Sequence, residues 1–308
     1  MMAEAASVLV AVDGSASAFG AARWAALEAK AHRRPLVIVA SAQLPIPRSA
    51  EMLGEGSAAG AIALATATRT RCEAAVAKAV EISHAVLAPG HEVRTEIWEG
   101  PPIPLLLEKS HTVGMMVLGD RGLGDSPVIG SVAEAVTAHG HCPVVVVREW
   151  RGTEGGFGDG PIVVGVDGST HCEAAIGLAM SEAAERGARV IAVHAWSDVP
   201  LDGAVASIGA EPAGIDWSSF QQRHDAALAE VLAGWQERFP DVQVERVVVN
   251  DRPVRHLLAA ANDAQLLVVG RQGRGGFTGM MVGSTSRALL HTAPCPLVIV
   301  RPADPRRP

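Results

Sequence analysis

Short unbroken apolar runs alternate along the chain with longer mixed stretches. Val8 to Val12, Leu36 to Val39, Met115 to Leu118 and Val144 to Val147 are continuous apolar runs, too short for helices. Such runs suit strands of a parallel sheet covered on both faces. Val93 to Trp98 alternates instead, as a half-exposed strand does. Helix patterns fall between them: about Ser17 to His32, a long alanine-rich segment ending near Leu87, Pro102 to Ser110, and Ser131 to about His139. Alanine favours helix, and proline is tolerated in a first turn. Leu44 to Ala58 carries Pro45, Pro47, Gly54 and Gly56 and reads as a loop.

The pattern then repeats. Strands are predicted near Ile162–Val166, Val190–His194, Val242–Val248, Leu266–Val269 and Leu297–Val300, and helices near His171–Arg186, Ser218–Phe239, Val254–Ala261 and Ser284–His291. Four blocks match between the halves, in the same order. Asp13-Gly-Ser matches Asp167-Gly-Ser at an offset of 154. Gly119 and Gly122 match Gly270 and Gly273 at 151, Gly130-Ser131 matches Gly283-Ser284 at 153, and Cys142-Pro143 matches Cys295-Pro296 at 153. Near-constant offsets indicate duplication. The expected architecture is α/β, with two tandem doubly wound domains at 1–148 and 161–308. A glycine-rich linker at 149–160 joins them. Each domain is expected to hold a five-stranded parallel sheet, order 3-2-1-4-5, with helices on both faces.

Composition narrows the function. The chain has 308 residues, 48% of them hydrophobic, enough for two cores. A net charge of -7 without a long basic run argues against nucleic-acid or membrane-surface binding. No run of 18 apolar residues suggests a membrane span. Met1 to Ser7 carries Glu4 and no basic segment, so it does not read as a secretory signal, and the expected location is cytoplasmic. Cys72, Cys142, Cys172 and Cys295 form no C-x-x-C and read as buried structural thiols. His139 and His141 read as capping or surface residues, and Glu28 with Arg33-Arg34 as a solvated helix face and its last turn.

The candidate chemistry lies in Val268 to Ser286. A buried strand ends at Gly270, a glycine-rich loop runs to Gly283, and a helix pattern starts at Ser284. Glycines admit oxygens close to backbone N–H groups, and a helix start adds unpaired donors and partial positive charge, so the arrangement suits phosphate. The simpler alternative is a glycine-rich surface turn. A P-loop would need a lysine before Ser or Thr, yet no lysine occurs from Arg151 onward. A dinucleotide fingerprint belongs after the first strand, whereas this loop follows the fourth. Asp167, just past the first strand of its half, should face Gly270 across the switch point. There it could accept hydrogen bonds from a nucleotide's hydroxyls or base; alternatively, it sits in an Asp-Gly-Ser turn and caps the next helix.

The spacing Gly270-x2-Gly273-x9-Gly283-Ser284 resembles the phosphate loop of ATP-binding universal stress proteins, and both halves resemble that family, over Ser7 to Arg148 and Pro161 to Arg301. The resemblance implies ATP, optionally with Mg2+. Asp167 would contact the adenosine end, and Gly165, Val166 and Ala195 would line the adenine pocket. Gly270, Gly273, Gly283, Ser284 and Thr285 would hold ribose and phosphates, with Arg274 as a further charge. Asp13, Gly119, Gly122, Gly130 and Ser131 occupy the matching places in the first half. There the loop departs from the pattern: seven residues, not nine, separate Gly122 from Gly130, Pro127 removes a donor, and Asp120 and Asp125 add negative charge. A first site that binds more weakly, or not at all, is expected; the alternative is the same ligand under a tighter loop.

Three functions compete. The first is a nucleotide-dependent regulator in stress response or growth control. It would act on an unidentified protein partner or on its own assembly. The second is a slow ATPase, although no residue reads as a general base for water. The third is an interaction module that has lost its nucleotide. The last strand of each half would be an apolar sheet edge, so the halves are expected to pair through these strands and the chains to form homo-oligomers.

Overall fold

A computed structural model describes residues 7–43, 57–124, 129–148, 152, 156–195, 217–250, 252–273 and 281–301. Of the loop expected from Leu44 to Ala58, residues 44–56 lie outside them, as do Arg274, Asp125 and Pro127, while Ser57 and Ala58 are helical. The chain divides into two compact units, Met1–Arg148 and Glu149–Pro308.

The first unit runs β1 (Val8–Ala11), α1 (Ala16–Ala31), β2 (Leu36–Ala42), α2 (Ser57–His84), β3 (Val93–Glu99), α3 (Pro102–Lys109), β4 (Met115–Gly119), α4 (Ser131–His139) and β5 (Val144–Val147). All its strand pairs are parallel. β1 lies between β2 and β4, β2 also pairs with β3, and β4 with β5, giving the order 3-2-1-4-5. Consecutive residues of β1, β4 and β5 are buried, so both faces of those strands are covered. β3 keeps residues exposed, which accounts for its alternating sequence. α1 packs against α2, and α3 against α4.

Ser15 caps α1 by accepting from the Ala18 N–H at 3.1 Å. Alanines 18, 21, 22, 25, 26 and 29 then let α1 lie close to the sheet, with Trp24 filling the remaining space. Glu28 corrects the sequence reading. It is fully buried rather than solvated, with a carboxylate oxygen 3.3 Å from His32 Nε2, one turn on. A buried carboxylate needs such a partner.

The second unit repeats the order: β6 (Ile162–Val166), α5 (Thr170–Arg186), β7 (Val190–Ala195), α6 (Trp217–Arg238), β8 (Val244–Val249), α7 (Pro253–Ala261), β9 (Leu266–Gly270), α8 (Ser284–Thr292) and β10 (Leu297–Val300). β6 lies between β7 and β9, β8 borders β7, and β10 borders β9, all parallel. α5 ends at Gly187, whose φ of 63° closes the helix in the left-handed region. The last residues of the glycine-rich stretch pack onto this unit. The Arg186 guanidinium lies 3.5 Å over the Phe157 ring, and Gln265 Nε2 donates to the Gly160 carbonyl at 2.7 Å. All four cysteines are free and buried.

Candidate nucleotide site

In each unit the first strand ends in an Asp-Gly-Ser turn beside the end of the fourth strand. The glycine of each turn has positive φ, 94° at Gly14 and 72° at Gly168, a conformation glycine adopts without strain. In the second unit, Asp167 Oδ1 accepts from the Ser169 N–H at 2.9 Å and from Ser169 Oγ at 2.7 Å. Asp167 Oδ2 faces the glycine loop, where a Cβ added to Gly273 would lie 2.6 Å from it. One oxygen therefore ties the turn and the other faces Gly273, while the N-cap of α5 is Ser169 rather than Asp167. The contact falls one glycine further along than Gly270. In the first unit Asp13 Oδ1 accepts from Ser15 N–H at 2.9 Å, and Oδ2 lies 3.0 Å from a Cβ placed on Gly122.

The base of the glycine loop closes in the same way in both units. The Gly283 N–H donates to the Arg271 carbonyl at 2.8 Å, and the Gly130 N–H to the Asp120 carbonyl at 2.7 Å. The first loop's two-residue shortening is thus taken up beyond Gly122, and its base keeps its geometry. Gly283 and Gly130 are the N-caps of α8 and α4. Ser284, Thr285 and Ser131 therefore stand in first turns, where backbone N–H groups lack intrahelical partners. Ser286, which the sequence reading passed over, donates from Oγ to the Gly270 carbonyl at 2.7 Å and ties α8 to the end of β9.

The first unit holds a cavity of about 260 Å3 at the carboxyl ends of its strands, and Asp13, Gly119, Gly122, Gly130 and Ser131 all line it. Arg121 and Trp98 line it as well; neither was singled out from sequence. Trp98 Nε1 donates to Glu96 Oε2 at 2.8 Å, and Lys109 Nζ lies 3.0 Å from the same carboxylate and 5.7 Å from the Trp98 ring centre. Burial pushes the Glu96 carboxyl up, but the hydrogen bonds from Lys109 and Trp98, with the Lys109 and Arg94 charges, outweigh it and hold Glu96 below the usual carboxylate range.

Asp120 needs a second correction. It does not present its charge to the loop. The residue is 2% exposed, accepts from Ser17 Oγ at 2.6 Å, and lies 3.2 Å from Arg121 Nε and 3.3 Å from Arg148 Nε. Its negative charge is answered by two guanidinium groups, so it does not oppose a phosphate as a bare acid would. Arg271 stands at the matching place in the second unit. Burial and the Arg301 charge both pull its guanidinium down from its ordinary value.

In the second unit Gly165 serves packing: a Cβ there would meet Val269 at 3.2 Å and Leu257 at 3.5 Å. Val166 is buried, and Ala195 ends β7 beside it. The Val166 carbonyl accepts from His194 Nδ1 at 2.7 Å, while His194 Nε2 lies 3.1 Å from His224 Nδ1. A carbonyl can only accept, so His194 carries its proton on Nδ1. The imidazole thus anchors the strand end just before Asp167. Sequence offered a weak signal, a histidine inside an otherwise apolar strand. Burial raises the Cys172 thiol pKa, and the neighbouring Asp167 charge raises it further.

The duplicated sheet, with a glycine loop closing on each fourth strand, is matched by known proteins. The universal stress protein family matches residues 5–148 and again 160–301. The chain belongs to the universal stress protein family. Among its relatives, a universal stress protein of Mycobacterium tuberculosis is 37% identical over 306 residues, covering 96% of each chain. Another from that species is 36% identical over 296 residues, again covering 96% of each. The crystal structure of a universal stress protein from Archaeoglobus fulgidus shares this tandem protein's fold at a TM-score of 0.61. It is 16% identical and covers 96% of this chain and 98% of that one. No helix among the described residues of this universal stress protein is long and apolar enough to cross a membrane.

Proposed function

We propose that the chain binds adenine nucleotide at the carboxyl ends of the strands of each unit, with ATP seated on the complete glycine loop of the second unit. It acts as a nucleotide-dependent regulator, not as an efficient enzyme. The juxtaposition of Asp167 Oδ2 with Gly273 carries this reading. A carboxylate oxygen turned toward a glycine at the start of a glycine-rich loop suits a ligand with hydroxyls at one end and phosphates at the other. Its recurrence at Asp13 and Gly122 supports a site rather than a chance turn. Family membership supports a role in stress response or growth control, exerted through a protein partner. Mg2+ would accompany the phosphates.

Calorimetric titration of ATP into the full chain, stripped of nucleotide, tests this proposal. Saturable binding is expected. A flat titration both with and without Mg2+ would refute it and leave the interaction-module reading standing.

A further inference from the structure

The two units differ in the side chains near the carboxyl ends of their second and third strands. In the first unit the register sets Ser41 against Trp98; in the second it sets Ala195 against Val249. At this matching register position near the ends of the second and third strands, one unit offers a hydroxyl and an indole and the other two aliphatic side chains. Trp98 does not swing freely. Its Nε1–H is held on Glu96, and the Lys109 ammonium that pairs with Glu96 also lies against its ring. The indole is a fixed aromatic wall of the first cavity.

The phosphate end of the same cavity is poorer. Its loop is two residues shorter and contains Pro127, which has no N–H to donate. Arg121 is the cation among the described lining residues, and part of its charge is answered by Asp120 at 3.2 Å. Aromatic stacking favours a base whatever its phosphates, whereas several phosphates need several donors and cations.

We infer that Trp98 is a specificity-determining residue that makes the first unit a site for an adenine nucleoside monophosphate, held mainly through its base, while the second unit takes the triphosphate. This rests on the nucleotide-binding reading and goes beyond it. One chain would then read two phosphorylation states of the same nucleotide.

The test uses the full chain carrying Asp167→Ala, which removes the second unit's carboxylate, with AMP and ATP titrated separately by calorimetry. AMP should bind at least as tightly as ATP. Adding Trp98→Val, which copies the second unit, should weaken AMP binding roughly tenfold or more, the range of one base–aromatic stack. Trp98→Phe should keep most of the affinity, which separates lost stacking from lost fold. In the otherwise unaltered chain, Trp98→Val should leave ATP binding at the second unit unchanged. The inference is overturned if folded Trp98→Val binds AMP as before, or if the first unit prefers ATP tenfold. If ATP binds the second unit while AMP never binds the first, this inference alone fails. If neither nucleotide binds the unaltered chain, the proposed function fails with it.

Discussion

Asp167→Ala is expected to weaken ATP binding at the second unit by roughly 10- to 100-fold while the chain stays folded. The size follows from removing hydrogen bonds to a charged acceptor, worth about 1.5–3 kcal/mol. The same substitution frees Ser169 N–H and Oγ from Asp167 Oδ1, a loss of about 1 kcal/mol in stability. Asp167→Asn separates the two effects. Its amide oxygen can still accept from Ser169, so stability should recover while affinity stays low. Gly273→Val reaches the same oxygen from the other side, because its Cβ would lie 2.6 Å from Asp167 Oδ2 and force the carboxylate away. Asp13→Ala should leave ATP at the second unit untouched. Calorimetry of each variant, with circular dichroism to verify folding, measures these outcomes; ATP affinity unchanged in both Asp167→Ala and Gly273→Val would remove the aspartate from the site.

Gly119→Ala should destabilise the first unit by about 1–3 kcal/mol, the overpacking range. A Cβ at Gly119 would lie 2.5 Å from Ser17 Oγ, 2.8 Å from the Ser17 carbonyl carbon and 2.9 Å from Ala18 N. The hydroxyl could rotate, but the other two atoms are backbone in the first turn of α1. Relief requires α1 to shift off the sheet, which disturbs the buried alanines that fit it there. The Ser17–Asp120 hydrogen bond would be lost in the process, loosening the loop base. Urea unfolding measures the effect, read as a lower midpoint for the transition that includes the first unit. A midpoint equal to that of the unaltered chain would mean this glycine was not fixed by close approach.

Much of this protein was legible in its sequence. Continuous apolar runs marked the strands buried on both faces, and the alternating run at Val93 marked the part-exposed one. Near-constant offsets revealed the duplication, and glycine spacing located the loops. What escaped depended on partners distant in sequence or on which face of a helix is buried. Asp120 read as a phosphate-repelling acid because neither Arg148 nor Ser17 is adjacent to it in the chain. Glu28 read as solvated although its histidine partner lies one turn away, since nothing local reveals which face of an alanine-rich helix is buried. Trp98 went unremarked because its significance comes from strand register and from Glu96 and Lys109. The His194 anchor on Val166 likewise joins neighbouring strands far apart in sequence.

Nucleotide content per chain tests the central claim most directly. The full chain is purified without added nucleotide and denatured, and the released small molecules are identified and counted. The account predicts adenine nucleotide, at least one per chain, with ATP lost on Asp167→Ala. A chain that releases no nucleotide and takes up no added ATP would contradict it, leaving the two glycine loops as turns.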